Sequence, residues 1–254
     1  MSTPTAIRVA ESGWRRYKHT WRASLFSSFV NPVMLLLAMG IGLGSLVDDG
    51  PGGLVYVTWL APGLLANIAM QTAAGESSYP VMAGMKWNKT YDAMLAGPLA
   101  TSDIVLGHVS WVSFRIVQVT AVFAVVAVWL ADLDPLGAVA ATGAALLTGM
   151  AFIGLVTAYT AKFNNETSLA NLFRYIVVPL FLFSGVFFPI SQLPGFMQPL
   201  AWLTPLWHGV ELSRWLAVGI DTAFSPMLHV GYLLVVGVLG FVLAVRLFEE
   251  RLVK

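Results

Sequence analysis

Residues 109–131 read VSWVSFRIVQVTAVFAVVAVWLA, and residues 136–161 read LGAVAATGAALLTGMAFIGLVTAYTA. Each run is longer than the roughly 20 apolar residues that a helix needs to cross a bilayer. Arg115 is the only charged residue in either run, and Asp132 and Asp134 lie in the short segment between them. The stretch therefore predicts two membrane-spanning helices in succession.

The composition of the whole chain agrees with this prediction. Hydrophobic residues make up 57% of the 254 residues and charged residues only 11%, and the mean hydropathy is +0.77. A soluble domain has about a quarter of its residues charged, so lipid must form part of the solvent. The length suits one membrane domain without a large soluble module, and the absence of cysteine excludes disulfides and thiol chemistry.

Six segments have the length and apolarity of spans, and we predict an all-α membrane protein with six transmembrane helices in a single domain. The predicted spans cover residues 25–47, 55–76, 109–131, 136–161, 173–189 and 227–247. The apolar run after Arg22 exceeds the core of a cleavable signal peptide, which is about 7–15 residues long. It is therefore predicted to be a retained span.

The charges predict the orientation of these spans. Ten of the 14 Lys and Arg residues fall before the first span, after the last, or in the second and fourth connections, and Arg174 and Arg246 lie one residue inside the span ends on the same side. Arg115 and Arg214 are the exceptions. The other connections contain mainly Asp and Glu. Because positive loops stay in the cytosol, we predict both termini to be cytoplasmic.

Residues 1–23 predict a different kind of element. Apolar and aromatic residues from Ile7 to Trp21 recur every three or four positions, and basic residues follow the same rhythm one position over. That pattern indicates an amphipathic helix in the cytoplasmic headgroup layer. The alternative is a disordered basic tail.

Residues 84–97, in the longest polar connection, predict about three turns of amphipathic helix that end at Gly97 and Pro98. A short cytoplasmic helix of this kind can dock into a groove on a partner. The alternative is a solvated connector.

Residues 190–222 contain too many prolines for one straight helix, together with Trp202, Trp207 and Trp215. Since tryptophan favours the membrane interface, we predict short re-entrant helices in the outer leaflet. A surface loop is the alternative, although the first part of the segment is uncharged.

Catalytic chemistry has little support in the sequence. The four histidines show no metal-ligand spacing, and no nucleotide site is visible. Arg115 is expected to reach the cytosol by snorkelling, and Glu76 and His229 are expected at span ends. An ion-coupled carrier needs buried ionisable groups or broken helices near the midplane. Without them in the first four spans, the energy for any transport must come from another subunit.

Gly143, Gly149 and Gly154 predict close helix contacts.

Four short motifs occur in order: APGL at residues 61–64, TYDAMLAGP at 90–98, SGVFFP at 184–189 and LTPLWHGVE at 203–211. In order and spacing the chain resembles the type-2 ATP-binding-cassette exporter permeases, and it looks closest to the lipo-oligosaccharide and drug export branch. The neutral segment 77–82 departs from the charged run that often precedes the coupling helix in that family.

The resemblance implies a non-catalytic permease of the bacterial inner membrane that exports a hydrophobic or amphipathic substrate, such as a glycolipid, a lipo-oligosaccharide or a drug. It implies a pair of permeases, either a homodimer with a second copy of this chain or a pair of unlike permeases, and two ATPase subunits that bind the ATP and Mg. The helix at 84–97 would be the coupling helix, and the segment after the fifth span would close the exit. The predicted ATPase contacts are Lys86, Trp87, Lys89, Tyr91, Asp92, Met94 and Leu95.

Aromatic residues of the fifth span predict the substrate route. Phe181, Phe183, Phe187 and Phe188 are candidates for its lining, and the alternative is that they face lipid or pack internally. Two other classes of protein remain open: a membrane scaffold or passive channel without an ATPase partner, and an intramembrane enzyme. The sequence shows no metal ligands and gives no reason to expect binding of nucleic acid.

Overall fold

The computed structural model describes residues 9, 13–14, 30, 32–44, 51–163 and 165–253. All the regular secondary structure in these ranges is helical. Hydrocarbon offers no hydrogen-bond partners, and a helix satisfies its backbone groups within one segment. The predicted all-α fold is confirmed for the described residues.

Eight helices of the described residues are labelled in chain order. They are α1 (Tyr56–Ser77), α2 (Thr90–Leu95), α3 (Thr101–Leu130), α4 (Pro135–Phe163), α5 (Glu166–Phe183), α6 (Gln198–Trp202), α7 (Pro205–Val218) and α8 (Pro226–Leu252). Shorter turns lie at Pro51–Gly53, Tyr79–Met82, Ala83–Trp87 and Ile190–Gln192, and residues 32–44 are helical, with a π-helix over Leu36–Leu43.

Four helices in the described part of the chain, α3, α4, α5 and α8, are long and apolar enough to cross a membrane. They overlap the last four predicted spans. The helix α1 has 22 residues but includes Asn67 and Gln71, and it is not among the four. Every residue from 59 to 70 is buried, so this helix is surrounded by protein and needs less apolar surface than a helix in lipid.

The helix α4 lies at the centre of the bundle and packs against α1, α3, α7 and α8. Glycines allow its closest contact. A Cβ atom on Gly154 would lie 2.4 Å from the backbone carbonyl carbon of Gly240 in α8, so the two backbones touch. The prediction of a close contact holds for Gly154 and also for Gly149, but Gly143 has nothing within 4 Å of an added Cβ.

The two ends of the bundle differ in charge. The end with Lys86, Lys89 and Lys162 is called the basic end, and the end with Asp132 and Asp134 the acidic end. Segment 84–97 lies at the basic end. The chain between α5 and α8 lies at the acidic end, where α7 packs against α4 and α1.

The structure differs from the prediction at two places. Residues 84–97 do not form one helix, because Lys89 has a left-handed backbone (φ 48°) that separates the turn Ala83–Trp87 from α2. The fifth span was predicted over 173–189, but α5 begins at Glu166, where the Asn165 side chain caps it, and ends at Phe183. Most of segment 1–23, and of span 25–47 outside 32–44, lies outside the described residues.

We expect Gly154→Ala to destabilise the protein by about 1–3 kcal/mol, because the added methyl group would force α4 and α8 apart. Gly143→Ala, on the same helix, is the matched control and should be neutral or slightly stabilising, since alanine favours helices. Thermal unfolding of both purified variants in one detergent measures the difference. Equal melting temperatures would show that the α4–α8 contact is not close.

Candidate functional site

The segment at residues 79–95, called the coupling segment, folds back on itself at the basic end. It consists of the turns Tyr79–Met82 and Ala83–Trp87 followed by α2. Gly84 makes this fold possible, since a Cβ atom there would lie 2.6 Å from the ring of Tyr91. The two halves of the segment therefore pack directly on each other.

Tyr91 anchors the coupling segment to the bundle. Its ring is only 9% exposed and meets Phe248 of α8 edge to face, with 5.4 Å between ring centroids. The same cluster includes Met85 and Ile104. Such an aromatic pair contributes about 0.5–1.5 kcal/mol beyond area burial, so it helps to hold this segment against α8.

The remaining predicted contact residues lie on or near the surface. Lys86, Trp87, Lys89 and Asp92 are exposed, whereas Met94 and Leu95 are half-buried. Trp87 is 53% exposed and has the charged residues Lys86 and Lys89 beside it in the sequence. Lys86 Nζ lies 3.8 Å from Glu166 Oε1 at the start of α5. The coupling segment thus has an anchored side and an open side with an aromatic residue among charges.

A polar cluster lies behind this segment, within the bundle. Arg115 was expected to snorkel to the cytosol, but it is buried, and its Nε donates to Glu76 Oε1 at 3.3 Å. Its Nη1 also donates to Gln118 Oε1 at 2.8 Å. A buried arginine needs such partners because an unpaired charge is costly to desolvate. Arg115 therefore joins α3 to the end of α1.

At the acidic end, a second buried arginine holds the chain after α5. Arg214 of α7 is 4% exposed, and its guanidinium lies over the indole ring of Trp59 at 3.5 Å from the centroid. Its Nη2 donates to the carbonyl oxygen of Val186 at 2.9 Å, and its Nε to that of Trp59 at 3.2 Å. The planar guanidinium can stack on a ring and donate in its own plane at the same time.

Residues 184–189, called the exit segment, are not helical and depend on these side-chain donors. Besides the bond from Arg214 to Val186, the Tyr56 hydroxyl donates to the Phe187 carbonyl at 2.8 Å. Gly185 has a φ of +81°, a conformation that favours glycine. Two successive carbonyl groups are thus bound from α1 and α7.

The charge of Arg214 persists at neutral pH. Its helix, α7, is not one of the four span-length helices. Burial lowers the pKa of Arg214 from 12.5 to about 9, against the opposing effect of the Glu211 carboxylate and of Tyr56. A pKa of about 9 leaves the guanidinium protonated at neutral pH, so the exit segment is held by charged hydrogen bonds, which are stronger than neutral ones.

The four predicted phenylalanines are divided between two environments. Phe181 and Phe187 pack edge to face on each other, with ring centroids 4.8 Å apart, and Phe188 is half-buried. Phe183 is exposed and lines an apolar cavity of about 220 Å³ between α5 and α6, together with Tyr175 and Leu200. The structure therefore places one of the four on an open cavity.

Comparison with known proteins gives a consistent result. Residues 8–218 match the family model described as "ABC-2 type transporter". The chain is 34% identical over 247 residues to Nodulation protein J of Bradyrhizobium diazoefficiens and 32% identical over 245 residues to that of Rhizobium leguminosarum bv. trifolii, with 95% of this chain and 93% of each relative covered. It is 25% identical over 238 residues to the inner membrane transport permease YadH of Escherichia coli, covering 92% of this chain and 91% of YadH.

We expect Arg214→Met to free the exit segment, because the Val186 carbonyl would be left without its donor at a cost of about 1–3 kcal/mol. Amide hydrogen exchange of residues 184–188 should become faster, and the melting temperature should fall. Arg214→Lys should not restore protection, since an ammonium group cannot stack on Trp59 and reach both carbonyls.

Arg174→Met, at an exposed arginine of α5, is the matched control and should leave exchange in the exit segment unchanged. Slow exchange in Arg214→Met would contradict the anchoring role. Full protection in Arg214→Lys would show that charge alone is sufficient.

Proposed function

This chain belongs to the ABC-2 type transporter family, which confirms the resemblance seen in its motifs, and we propose that it forms the membrane-spanning half of an ATP-driven exporter. Proteins of this family are transport components, and a partner chain hydrolyses the ATP. The two-sided coupling segment carries this proposal: Tyr91 is held within the bundle while Trp87 remains open to a partner.

Two ATPase subunits would bind the coupling segments of two permease copies, and would also bind the ATP and Mg. We assign the contact to Trp87, with Lys86, Lys89 and Asp92 as charged neighbours that set the register. Tyr91 supports the segment from behind instead of touching the ATPase. Exposed aromatic residues bordered by charges are typical centres of binding energy in protein interfaces.

The proposed topology has six spans, with α1 and the segment at 25–47 added to the four span-length helices. The basic end is cytoplasmic under the positive-inside rule, which places both termini in the cytosol and α7 in the outer leaflet. Helix α5 is the least covered of the four span-length helices: 17% of its most apolar window is buried, against 22% for α8 and 56% for α4. We assign this open face to the second permease copy.

The proposed cargo is hydrophobic or amphipathic, such as a glycolipid, a lipo-oligosaccharide or a drug. Two observations support it: the resemblance to lipo-oligosaccharide export permeases, and the apolar cavity beside Phe183 next to the exit segment. Closure of the ATPases on ATP would push the coupling segments and shift the permease pair toward an outward-open state, as a binding-linked change of population.

Co-expression with a candidate ATPase tests the proposal directly. We expect a stable complex of two permeases and two ATPases in nanodiscs, and we expect this complex to hydrolyse ATP. A folded permease that captures no ATPase would contradict the exporter assignment, and the scaffold or passive channel would then be the better description.

Within that complex, Trp87→Ala should weaken ATPase binding by about 2 kcal/mol, as for a central interface residue, which corresponds to roughly 25-fold in Kd. Trp129→Ala is the matched control, since Trp129 is also an exposed tryptophan but lies at the acidic end. Titration of labelled ATPase onto permease nanodiscs measures both. Equal affinity for the two variants would exclude Trp87 from the contact.

A further inference from the structure

Two histidines lie side by side at the acidic end, where α7 meets α8. The Nδ1 atoms of His208 and His229 are 2.8 Å apart, and His208 Nε2 lies 2.9 Å from the carbonyl oxygen of Trp202. Both rings are buried. The family function described above makes no use of this pair, and the sequence alone does not bring residues 208 and 229 together.

Aromatic side chains fix the positions of the two rings. Tyr232 stacks on His208, with centroids 3.9 Å apart and planes 18° from parallel, and its hydroxyl donates to the carbonyl of Leu203. Trp207 meets both imidazoles edge to face, at 4.9 and 5.3 Å. The pair therefore links α6, the start of α7 and the first turns of α8 through hydrogen bonds and ring contacts.

The hydrogen bonds determine how many protons the pair can hold. A carbonyl only accepts, so His208 Nε2 must carry a proton; in a neutral ring its Nδ1 is then an acceptor, and His229 Nδ1 must donate to it. His229 Nε2, which has no hydrogen-bond partner among the described residues, is the position open to a third proton, and this proton leaves the donor and acceptor of the Nδ1–Nδ1 bond unchanged. A fourth proton would place N–H groups on both Nδ1 atoms, 2.8 Å apart.

We propose that His208 and His229 form a proton-sensitive latch, which holds the outer helix α7 against the last span α8 and releases it when both rings are protonated. In the proposed topology the latch lies at the outer face. The permease would then respond to acidification of the medium outside the cell, independently of ATP.

Few other ionisable groups surround the latch. Tyr232 is the ionisable side chain that α8 places against it, and α6 contributes its Trp202 carbonyl. On α7, Glu211 accepts a hydrogen bond from the backbone N–H of Ala223, while Arg214 is bound to the exit segment. The connection to α8 contains Asp221, and the part of α4 from residue 135 to 158 has no ionisable residue.

The expected direction follows from the pKa of His208. Burial, and then the neighbouring His229, lower this pKa from 6.5 to about 4, whereas a released, hydrated histidine has its ordinary value. Protonation therefore favours the released state. The latch is fully closed above pH 6.5 and is weakened by about tenfold for each pH unit between 6.5 and 4.

Because the chain contains no cysteine, a single spin-label pair reports on the latch. Leu200→Cys on α6 and Leu234→Cys on α8 are both at exposed positions and can be labelled in nanodiscs, diluted with unlabelled chain. Pulsed dipolar spectroscopy should give one distance at about pH 8. A second population with a longer distance should increase reversibly as the pH falls from about 6.5 to 4.5, the window set by the histidine titration.

The matched variant is His229→Asn in the same labelled chain. Its amide nitrogen takes the place of Nδ1 and can donate to His208, while its oxygen can turn to accept when His208 is protonated. The distance should then stay short at every pH. An unchanged distance in the parent chain, the same shift in His229→Asn, or a shift that does not reverse at about pH 8 would each overturn the proposal.

Discussion

The structure depends on the satisfaction of backbone carbonyl groups where the chain leaves a helix inside the bundle. An apolar interior supplies no donors, so an irregular segment persists there only if side chains bind its backbone. At the exit segment, Arg214 and Tyr56 provide these donors to Val186 and Phe187. The desolvation of a guanidinium is expensive, but here two carbonyl groups and the face of Trp59 replace its water.

The same requirement explains the unusual composition of α1. This helix supplies Tyr56 and the ring of Trp59, and it passes Gly63 close to the guanidinium: a Cβ atom there would lie 3.0 Å from Arg214 Nη2. Such a helix must have small and partly polar side chains on the side that faces α7. It can be so because its middle turns are buried in protein, and lipid therefore imposes no demand for strong hydrophobicity.

The helical architecture could be predicted from the sequence because a long apolar run crosses a membrane as a helix, which satisfies its own backbone hydrogen bonds. The asymmetry of Lys and Arg likewise predicted an orientation, and the four motifs identified the family. The sites depend on contacts between distant residues, which periodicity does not show. Arg214 was visible only as the one base among acidic connections, and its acceptor Val186 lies 28 positions away. Arg115 was expected to reach the cytosol because its local sequence shows no partner of opposite charge. That partner, Glu76, is on another helix, 39 positions earlier.

Tyr91 illustrates why the face of a short helix is hard to assign from its sequence. The coupling segment is interrupted at Lys89, so residues on either side do not share one helical period, and Gly84 turns Tyr91 inward. That inward ring joins the coupling segment to α8, whose backbone touches α4 at Gly240 and Gly154.

Helix α4 in turn meets α7 backbone to backbone, since a Cβ atom on Gly137 would lie 2.8 Å from the carbonyl oxygen of Ala217 in α7. Contacts between backbones cannot absorb displacement by changing rotamers, as layers of long side chains do. These contacts form a continuous packed route from the coupling segment through α8 and α4 to α7, the helix whose Arg214 holds the exit segment.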